Sequence, residues 1–270
     1  MASGLPPISA DEVTRYLDRL DLGDAIERPA DRQLLDDLSL AHLVNVPFEN
    51  LDIVFAGGVP HDPHPSLEKI LDGRGGWCFE LNGSFARLLE HLGYDVLLIG
   101  SAVLLDGPST LIEHLALEVW NPTTDVPPLL VDVGFGDSFV FPLELNRAGP
   151  QPGGNGDYEL LPSPQGTTLA RLCDGPPAAQ YRFKRVALAF EQFESASTLL
   201  QTDPDRSWSS KPFATRVTAP DDRLALRREM ATRRHAGQIE QEPVATRERF
   251  DELLNEWFAM NRPGPWPGPA

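Results

Sequence analysis

The segment Gly73-Arg74-Gly75-Gly76-Trp77-Cys78-Phe79-Glu80-Leu81-Asn82 decides how this 270-residue chain is read. Three of its first four residues are glycine, which is unfavourable inside a helix or strand. Directly after them Leu81, Phe85, Leu88 and Leu92 recur at i, i+4, i+7 and i+11, the period of an amphipathic helix. Gly93 supplies the stop. A glycine-rich loop therefore opens a helix, and Cys78 falls in its first turn. From Tyr94 the period changes. Residues 94–105, 113–120, 129–133, 139–145 and 179–190 read as strands, parted by Pro- and Gly-rich joints at 151–157, 161–166 and 174–177. That pattern predicts an antiparallel β unit.

Upstream of the loop the chain reads as helices. Ser9 lies three residues before Glu12, a capping-box spacing, and Val13, Tyr16, Leu17 and Leu20 follow on one face. A looser apolar set, Leu34, Leu35, Leu38, Leu40 and Leu43, is closed by Pro47. Residues 53–65 read as loop, and Leu67, Ile70 and Leu71 as a short helix ending at Gly73. Beyond Phe190 the sequence turns polar and helical, with Phe250, Leu253, Leu254, Trp257 and Phe258 on one face before a Pro/Gly-rich tail, 263–270, expected to fray.

Composition bounds the function. Apolar residues make up 41% of the chain, enough for a core. With 23 basic against 40 acidic residues the net charge is −17, and such a field repels nucleic acid and anionic membranes. A local basic cluster could still hold a small phosphate-bearing ligand. The only cysteines, Cys78 and Cys173, make no disulfide scaffold. The N-terminus carries Asp11 and Glu12 and no signal-peptide pattern. The apolar stretch 96–105 falls far short of the ~20 residues needed to span a bilayer. A cytoplasmic protein is expected, with no membrane partner.

The residues after the helix supply chemistry. In 113–120 the odd positions Leu115, Leu117 and Val119 are apolar, and His114 is on the other face. If 121–125 forms the turn, Trp120 pairs with Val126 and His114 falls opposite Asp132, Cβ atoms about 5 Å apart. A register shift of two leaves both on one face as diagonal neighbours. Alone, such a pair reads as a half-buried ion pair. Cys78 alone reads as a small buried hydrophobe. Together they form a set: a thiol at a helix start that favours thiolate, a base, a group orienting the base, and amides able to hold an oxyanion. Cys173, in the loop Cys173-Asp174-Gly175, has no such partners in sequence.

Arg74 to Asn82 resembles the signature of the arylamine N-acetyltransferases. Val46-Pro47-Phe48-Glu49-Asn50-Leu51, Glu113-His114 and Val131-Asp132-Val133-Gly134-Phe135-Gly136 resemble further segments of that family, in order. The resemblance implies a Cys–His–Asp triad at Cys78, His114 and Asp132. It also implies an α+β fold related to papain-like cysteine enzymes: a helical domain (1–92), an antiparallel β-barrel domain (93–190) and an α/β lid (191–270). Acetyl-CoA is the implied acyl donor and an aromatic amine, arylhydroxylamine or hydrazine the acceptor, by a ping-pong route. Phe48 and Phe135 read either as acceptor contacts or as core packing, and Val103 joins them by the resemblance; the family's later Ser/Thr-x-Pro segment appears only as Ser209-Ser210-Lys211-Pro212-Phe213, where Lys211 is a candidate donor contact. The chain departs from the family at Glu113, usually Thr, and Leu115, usually Met.

Arg74 admits two readings, a thiolate stabiliser or an ion-pair partner of Glu49; the second is favoured because the resemblance sets the two segments side by side. Against a net charge of −17, Arg182, Lys184, Arg185 and Arg216 are further candidates to meet donor phosphates. His61 and His64 have a metal-like spacing but no third ligand in sequence, so no metal is expected. The rival readings keep the triad: a macrolactam-forming amide synthase with a carrier-bound donor, or a thioester or amide hydrolase. A non-catalytic module keeping only the fold is opposed by the intact set of three residues.

Overall fold

The computed structural model describes residues 3–204 and 209–267. Helix α1 (Ala10–Leu20) begins at Ser9, whose hydroxyl accepts from the Glu12 amide while the Glu12 carboxylate accepts from the Ser9 amide, the expected reciprocal cap. Helix α2 (Arg32–Asn45) is capped by Asp31 and ends before Pro47. Strand β1 (Phe48–Glu49) follows. The stretch 53–65, expected as loop, instead contains most of α3 (Leu51–Phe55) and the start of α4 (Pro63–Leu71). Asp62 caps α4, and proline at the first helical position forfeits only an amide the helix does not use. Helix α5 (Cys78–His91) is buried on nearly every side, because it runs between the other helices and a sheet.

That sheet has eight antiparallel strands: β2 (Asp95–Val103), β3 (His114–Asn121), β4 (Val126–Val131), β5 (Leu143–Glu144), β6 (Gln151–Pro152), β7 (Asp157–Ser163), β8 (Gly166–Arg171) and β9 (Ala178–Ala187). Their order is β5-β4-β3-β2-β9-β8-β7-β6. The supposed joints at 151–157 and 161–166 thus include strand ends as well as turns, with Gln151, Pro152 and Asp157 in the first and all but 164–165 of the second in strands; Pro152 and Pro162 sit at or beside strand ends, where a missing donor matters little. Conversely, 139–145 yields only the two residues of β5. The two edges meet through one side chain. The Gln151 amide donates to the Glu144 carbonyl (3.0 Å) and its oxygen accepts from the Glu144 amide (2.8 Å), so a side chain imitates a ladder rung and the sheet nearly closes into a barrel. Ile99, Ala116, Leu130, Tyr158, Tyr181 and Phe183 fill one side of it. Leu115, Leu117, Val119, Leu129 and Val131 belong to the core that includes α5.

The β3–β4 register differs from the expected one. Leu117 pairs with Val131 and Val119 with Leu129, and a bulge precedes the Asn121–Val126 pair. Asn121 causes the extension. Its side chain accepts from the Thr123 amide (2.9 Å) and donates to the carbonyls of Ala30 and Gly93 (3.1 Å each), which keeps it in the strand. The shift is two residues, so His114 and Asp132 are diagonal rather than opposite and still share a face.

The chain after Phe190 is also not mainly helical as expected. A 3₁₀ turn (Phe190–Phe193) and α6 (Glu194–Thr202) lead to β10 (Phe213–Ala219), β11 (Asp222–Arg227), β12 (Met230–His235) and β13 (Gln238–Pro243), which join β1 in a five-stranded sheet ordered β1-β10-β11-β12-β13. Strand β13 is exposed throughout, and a strand without a buried face lacks the alternation that would reveal it. Helix α7 (Arg247–Phe258) packs Phe250, Leu253 and Leu254 with Leu226 and Ala231. No helix among the described residues is long and apolar enough to cross a membrane.

The tail does not fray as expected. Trp266 stands edge-on to Phe55 (5.0 Å between centroids) and Phe250 (5.2 Å), with the Arg262 guanidinium 5.3 Å from its ring centre; residues 268–270 lie outside the described part. Because Trp266 is partly exposed, Trp266→Ala should cost about 1–3 kcal/mol, below the range for a fully buried Trp. Equilibrium urea unfolding checks this, and an unchanged midpoint would mean that the tail is not anchored.

Candidate active site

The start of α5 is held by backbone and by charge. Gly76 donates to the Pro47 carbonyl (3.2 Å) and Glu49 donates to the Gly76 carbonyl (2.8 Å). A Cβ on Gly75 would fall 2.0 Å from the Pro47 oxygen, so only glycine permits this approach. Around the loop lie three carboxylates and two cations. Arg74 Nη2 meets Glu49 Oε1 (2.9 Å) and Asp52 Oδ2 (3.2 Å), and Lys69 Nζ meets Asp52 Oδ2 (2.6 Å) and Glu80 Oε2 (3.1 Å). Arg74 is thus an ion-pair partner of Glu49, the favoured reading. Glu80 Oε2 also accepts from the Trp77 amide (3.2 Å), tying the helix start. Burial pushes the Glu80 carboxyl up, Lys69 opposes it and Glu49 adds to it, leaving the group at about 7.

His114 and Asp132 come together at the end of the β3–β4 hairpin. His114 Nε2 lies 2.7 Å from Asp132 Oδ2, with 4% and 0% of the two side chains exposed. Burial alone would lower the histidine. The Asp132 charge and hydrogen bond overcome it, the Cys78 side chain adds a hydrogen bond and a charge, and His114 is held well above its ordinary range. The ring therefore addresses Asp132 through Nε2 and is within reach of Cys78.

Asn82, one turn after Cys78, fastens the helix to the hairpin. Its Nδ2 donates to Asp132 Oδ1 (2.9 Å) and the Leu115 carbonyl (2.6 Å), and its Oδ1 accepts from the Val133 amide (3.0 Å). Asp132 Oδ1 also accepts from the Gly134 amide (2.9 Å). At Gly134 a Cβ would sit 2.8 Å from Cys78 Cα, so the turn after Asp132 rests directly on the helix start. Buried Tyr181 lies near enough to Asp132 for burial, and then that carboxylate, to raise its phenol, although its hydroxyl makes no well-formed hydrogen bond. Sequence reasoning missed both residues. Asn82 carried a signal, its i+4 spacing from Cys78 on one helix face; Tyr181 carried none beyond its place in a strand.

The other anticipated residues divide. Phe135 packs its ring against His114 (5.2 Å) and Tyr181 (5.1 Å). Half-buried Val103 pairs across the sheet with Tyr181. Phe48 is buried against Phe213 (6.0 Å) and the backbone of Gly136. The Lys211 carbonyl accepts from Asn50 Nδ2 (3.0 Å), next to β1, and the residue is exposed. Three of the other basic candidates are engaged elsewhere: Arg182 donates to the Ser109 carbonyl (2.9 Å), Arg185 pairs with Glu118, and Arg216 donates to the Val44 carbonyl (3.3 Å); the fourth, Lys184, is exposed on β9. Cys173 is exposed on the far end of β8. His61 stacks on Phe190 (4.1 Å) and bonds its carbonyl, and among the described residues no group of three His, Cys, Asp or Glu is placed to hold a metal ion.

A thiol at a helix start, an imidazole bonded to a carboxylate and an aromatic ring beside them suit acyl transfer. Known proteins agree. The family profile described as N-acetyltransferase matches residues 31–263. An arylamine N-acetyltransferase of Mycobacterium tuberculosis is 31% identical over 264 residues, covering 93% of this chain and 89% of that protein. Human arylamine N-acetyltransferase 1 is 30% identical over 237 residues, covering 78% and 79%. Among solved structures, Mycobacterium marinum arylamine N-acetyltransferase in complex with CoA matches with a TM-score of 0.84 at 28% identity, covering 92% of this chain and 93% of that one. The match runs through the helices, the barrel-like sheet and the C-terminal sheet alike, and the chain belongs to the arylamine N-acetyltransferase family of acyltransferases.

Proposed function

We propose that this chain moves an acetyl group from acetyl-CoA to the nitrogen of an arylamine, arylhydroxylamine or hydrazine in two half-reactions, through a thioester on Cys78. The observation that carries this reading is the His114 ring, bonded to Asp132 at one nitrogen and within reach of Cys78.

In the first half-reaction Cys78 Sγ, its proton on His114, attacks the thioester carbonyl. The carbonyl electrons move to oxygen, facing helix-start amides that have no intrahelical acceptor. The oxyanion collapses, the bond from carbon to the CoA sulfur breaks, and the departing thiolate takes the proton from His114. In the second, the acceptor nitrogen attacks the acetyl carbon, His114 takes the nitrogen's proton, and the bond to Sγ breaks, restoring the starting pair. Asp132 keeps the imidazole in one tautomer and orientation. Phe135, Val103 and Phe48 receive the flat apolar acceptor. Lys211, exposed beside β1, is the basic group assigned to the donor's phosphates.

Mixed with acetyl-CoA and no acceptor, the protein should gain one acetyl group on Cys78 and none on Cys173, read by intact and peptide mass spectrometry. An adduct on Cys173 alone, or none with any acyl-CoA, would falsify the reading, and rapid loss of the adduct to water without acceptor would favour a hydrolase. Asp132→Asn should slow acylation by at least ~10²-fold, the corresponding change in serine triads costing ~10⁴. Undiminished acylation in that variant would leave Asp132 a purely structural role.

The pair also makes a pH prediction. Its partners raise His114 from 6.5 to about 10 in the folded protein. A raised basic group contributes stability that is complete below its unfolded value and is lost as pH climbs through the folded one. In a Cys78→Ala background, the free energy of urea unfolding should therefore fall from neutral to alkaline pH, and Asp132→Asn should flatten the fall. Equal slopes in the two proteins would mean that the ion pair does not hold the proton.

A further inference from the structure

Asp137 lies two residues beyond Phe135, and three guanidinium groups from two sheets converge on it. Arg171 of β8, in the eight-stranded sheet, approaches with Nη1 at 3.4 Å from Oδ1. Arg223 of β11 and Arg234 of β12, in the five-stranded sheet, approach with Nε at 3.4 Å from Oδ1 and Nη2 at 3.1 Å from Oδ2. Arg223 is 6% exposed. It also donates to the Gly136 carbonyl and to Thr215 Oγ1, and Thr215 in turn donates to the Leu224 carbonyl (2.7 Å).

This arrangement is a poor way to gain stability. A buried cation costs several kcal/mol to desolvate, and an apolar side chain of similar size is often equal or better. Here three cations share one half-exposed carboxylate, which they hold below the ordinary range against the effect of burial. What the arrangement does accomplish is geometric. Arg223 grips consecutive residues, the carbonyl of Gly136 and the carboxylate of Asp137. Two residues of chain span at most about 7 Å, so fixing that pair restricts the Phe135 backbone. The Phe135 ring stands 5.2 Å from His114.

We propose that Arg223 and Asp137 are positioning residues through which the five-stranded sheet sets the place of Phe135 beside His114 and so selects which acceptors fit. The inference rests on the acetyl-transfer reading and deepens it. Removing the clamp frees the ring and blurs discrimination between narrow and broad aromatic amines. It leaves Cys78 and its own supports, Glu80 and Asn82, in place.

The test compares wild type with Asp137→Asn, Arg223→Met and Arg223→Lys in the full chain. Acylation of Cys78 by acetyl-CoA is followed in a single turnover, and kcat and KM are measured for a one-ring and a fused-ring amine. In Asp137→Asn and Arg223→Met the acceptor KM should rise about tenfold, inside the ~10² that a misplacement of about 1 Å can cost. The ratio of kcat/KM between the two amines should move severalfold, while acylation slows no more than about twofold. Arg223→Lys should recover part of the ratio by keeping the charge. Asp137→Asn, isosteric and at an exposed position, keeps the test open if Arg223→Met does not fold. A wild type that forms no acetyl-enzyme overturns the activity reading and this inference with it. A competent wild type whose amine ratio is unmoved by either variant, or whose two half-reactions fall together, overturns the clamp alone.

Discussion

Everything at the site depends on one side chain that touches both halves of it. Asn82 belongs to the helix that carries Cys78, yet all three of its hydrogen bonds go to the hairpin that carries His114 and Asp132. A primary amide suits this place because it offers donors and an acceptor without charge. A carboxylate there would face Asp132 Oδ1 and could not donate to it. In these buried surroundings such bonds gain strength, and losing them would deprive the Val133 amide of its acceptor, while Asp132 Oδ1 would keep the Gly134 amide. The spacing of Cys78 and His114 is therefore set by hydrogen bonds that involve neither the thiol nor the imidazole.

Charge is distributed in a way the composition alone conceals. A chain at −17 places two cations with three carboxylates around the Cys78 loop and three cations with one carboxylate on the turn after Asp132. Two basic residues close together in sequence, Arg182 and Arg185 on β9, are bound to a carbonyl and to Glu118. Those that cluster in space, Arg171, Arg223 and Arg234, lie far apart in sequence on three strands. Proximity along the chain is a weak guide to an electrostatic site in a sheet protein, because strand neighbours are assembled by topology.

That distinction also explains what could be read beforehand. Ser9, Glu12 and Gly93 marked helix ends because capping is local. The apolar odd positions of β3 and β4 put His114 and Asp132 on one face for any register shifted by an even number of residues, so the pair survived a two-residue error, one residue from Asn121 joining the strand and one from the bulge beside it. Strands β12 and β13 were missed because their polar, largely exposed residues leave no apolar face to reveal them. Strands β6, β7 and β8 were masked by the Pro and Gly at their ends. The tail was misjudged because Trp266 finds Phe55 and Phe250 only in the folded molecule. Ordered motifs disclosed the triad candidates, whereas Tyr181 and Arg223 meet neighbours that no local pattern names.

The remaining constraint is dielectric. Cys78, His114 and Asp132 are at most 5% exposed, so a charge created there without compensation would be costly. Asp132 is the fixed point. It accepts from His114, from Asn82 and from the Gly134 amide. In the proposed cycle the other charges move around it and the sum stays constant. Thiolate, imidazolium and carboxylate carry one net negative charge. So do the oxyanion with imidazolium and carboxylate, and so does the acetyl-enzyme with neutral imidazole and carboxylate. Each step relocates one negative charge by a few bond lengths within a preorganised set of donors, which is the condition under which electrostatic stabilisation needs little reorganisation. A buried site can thus host an anionic reaction because the anion is never new.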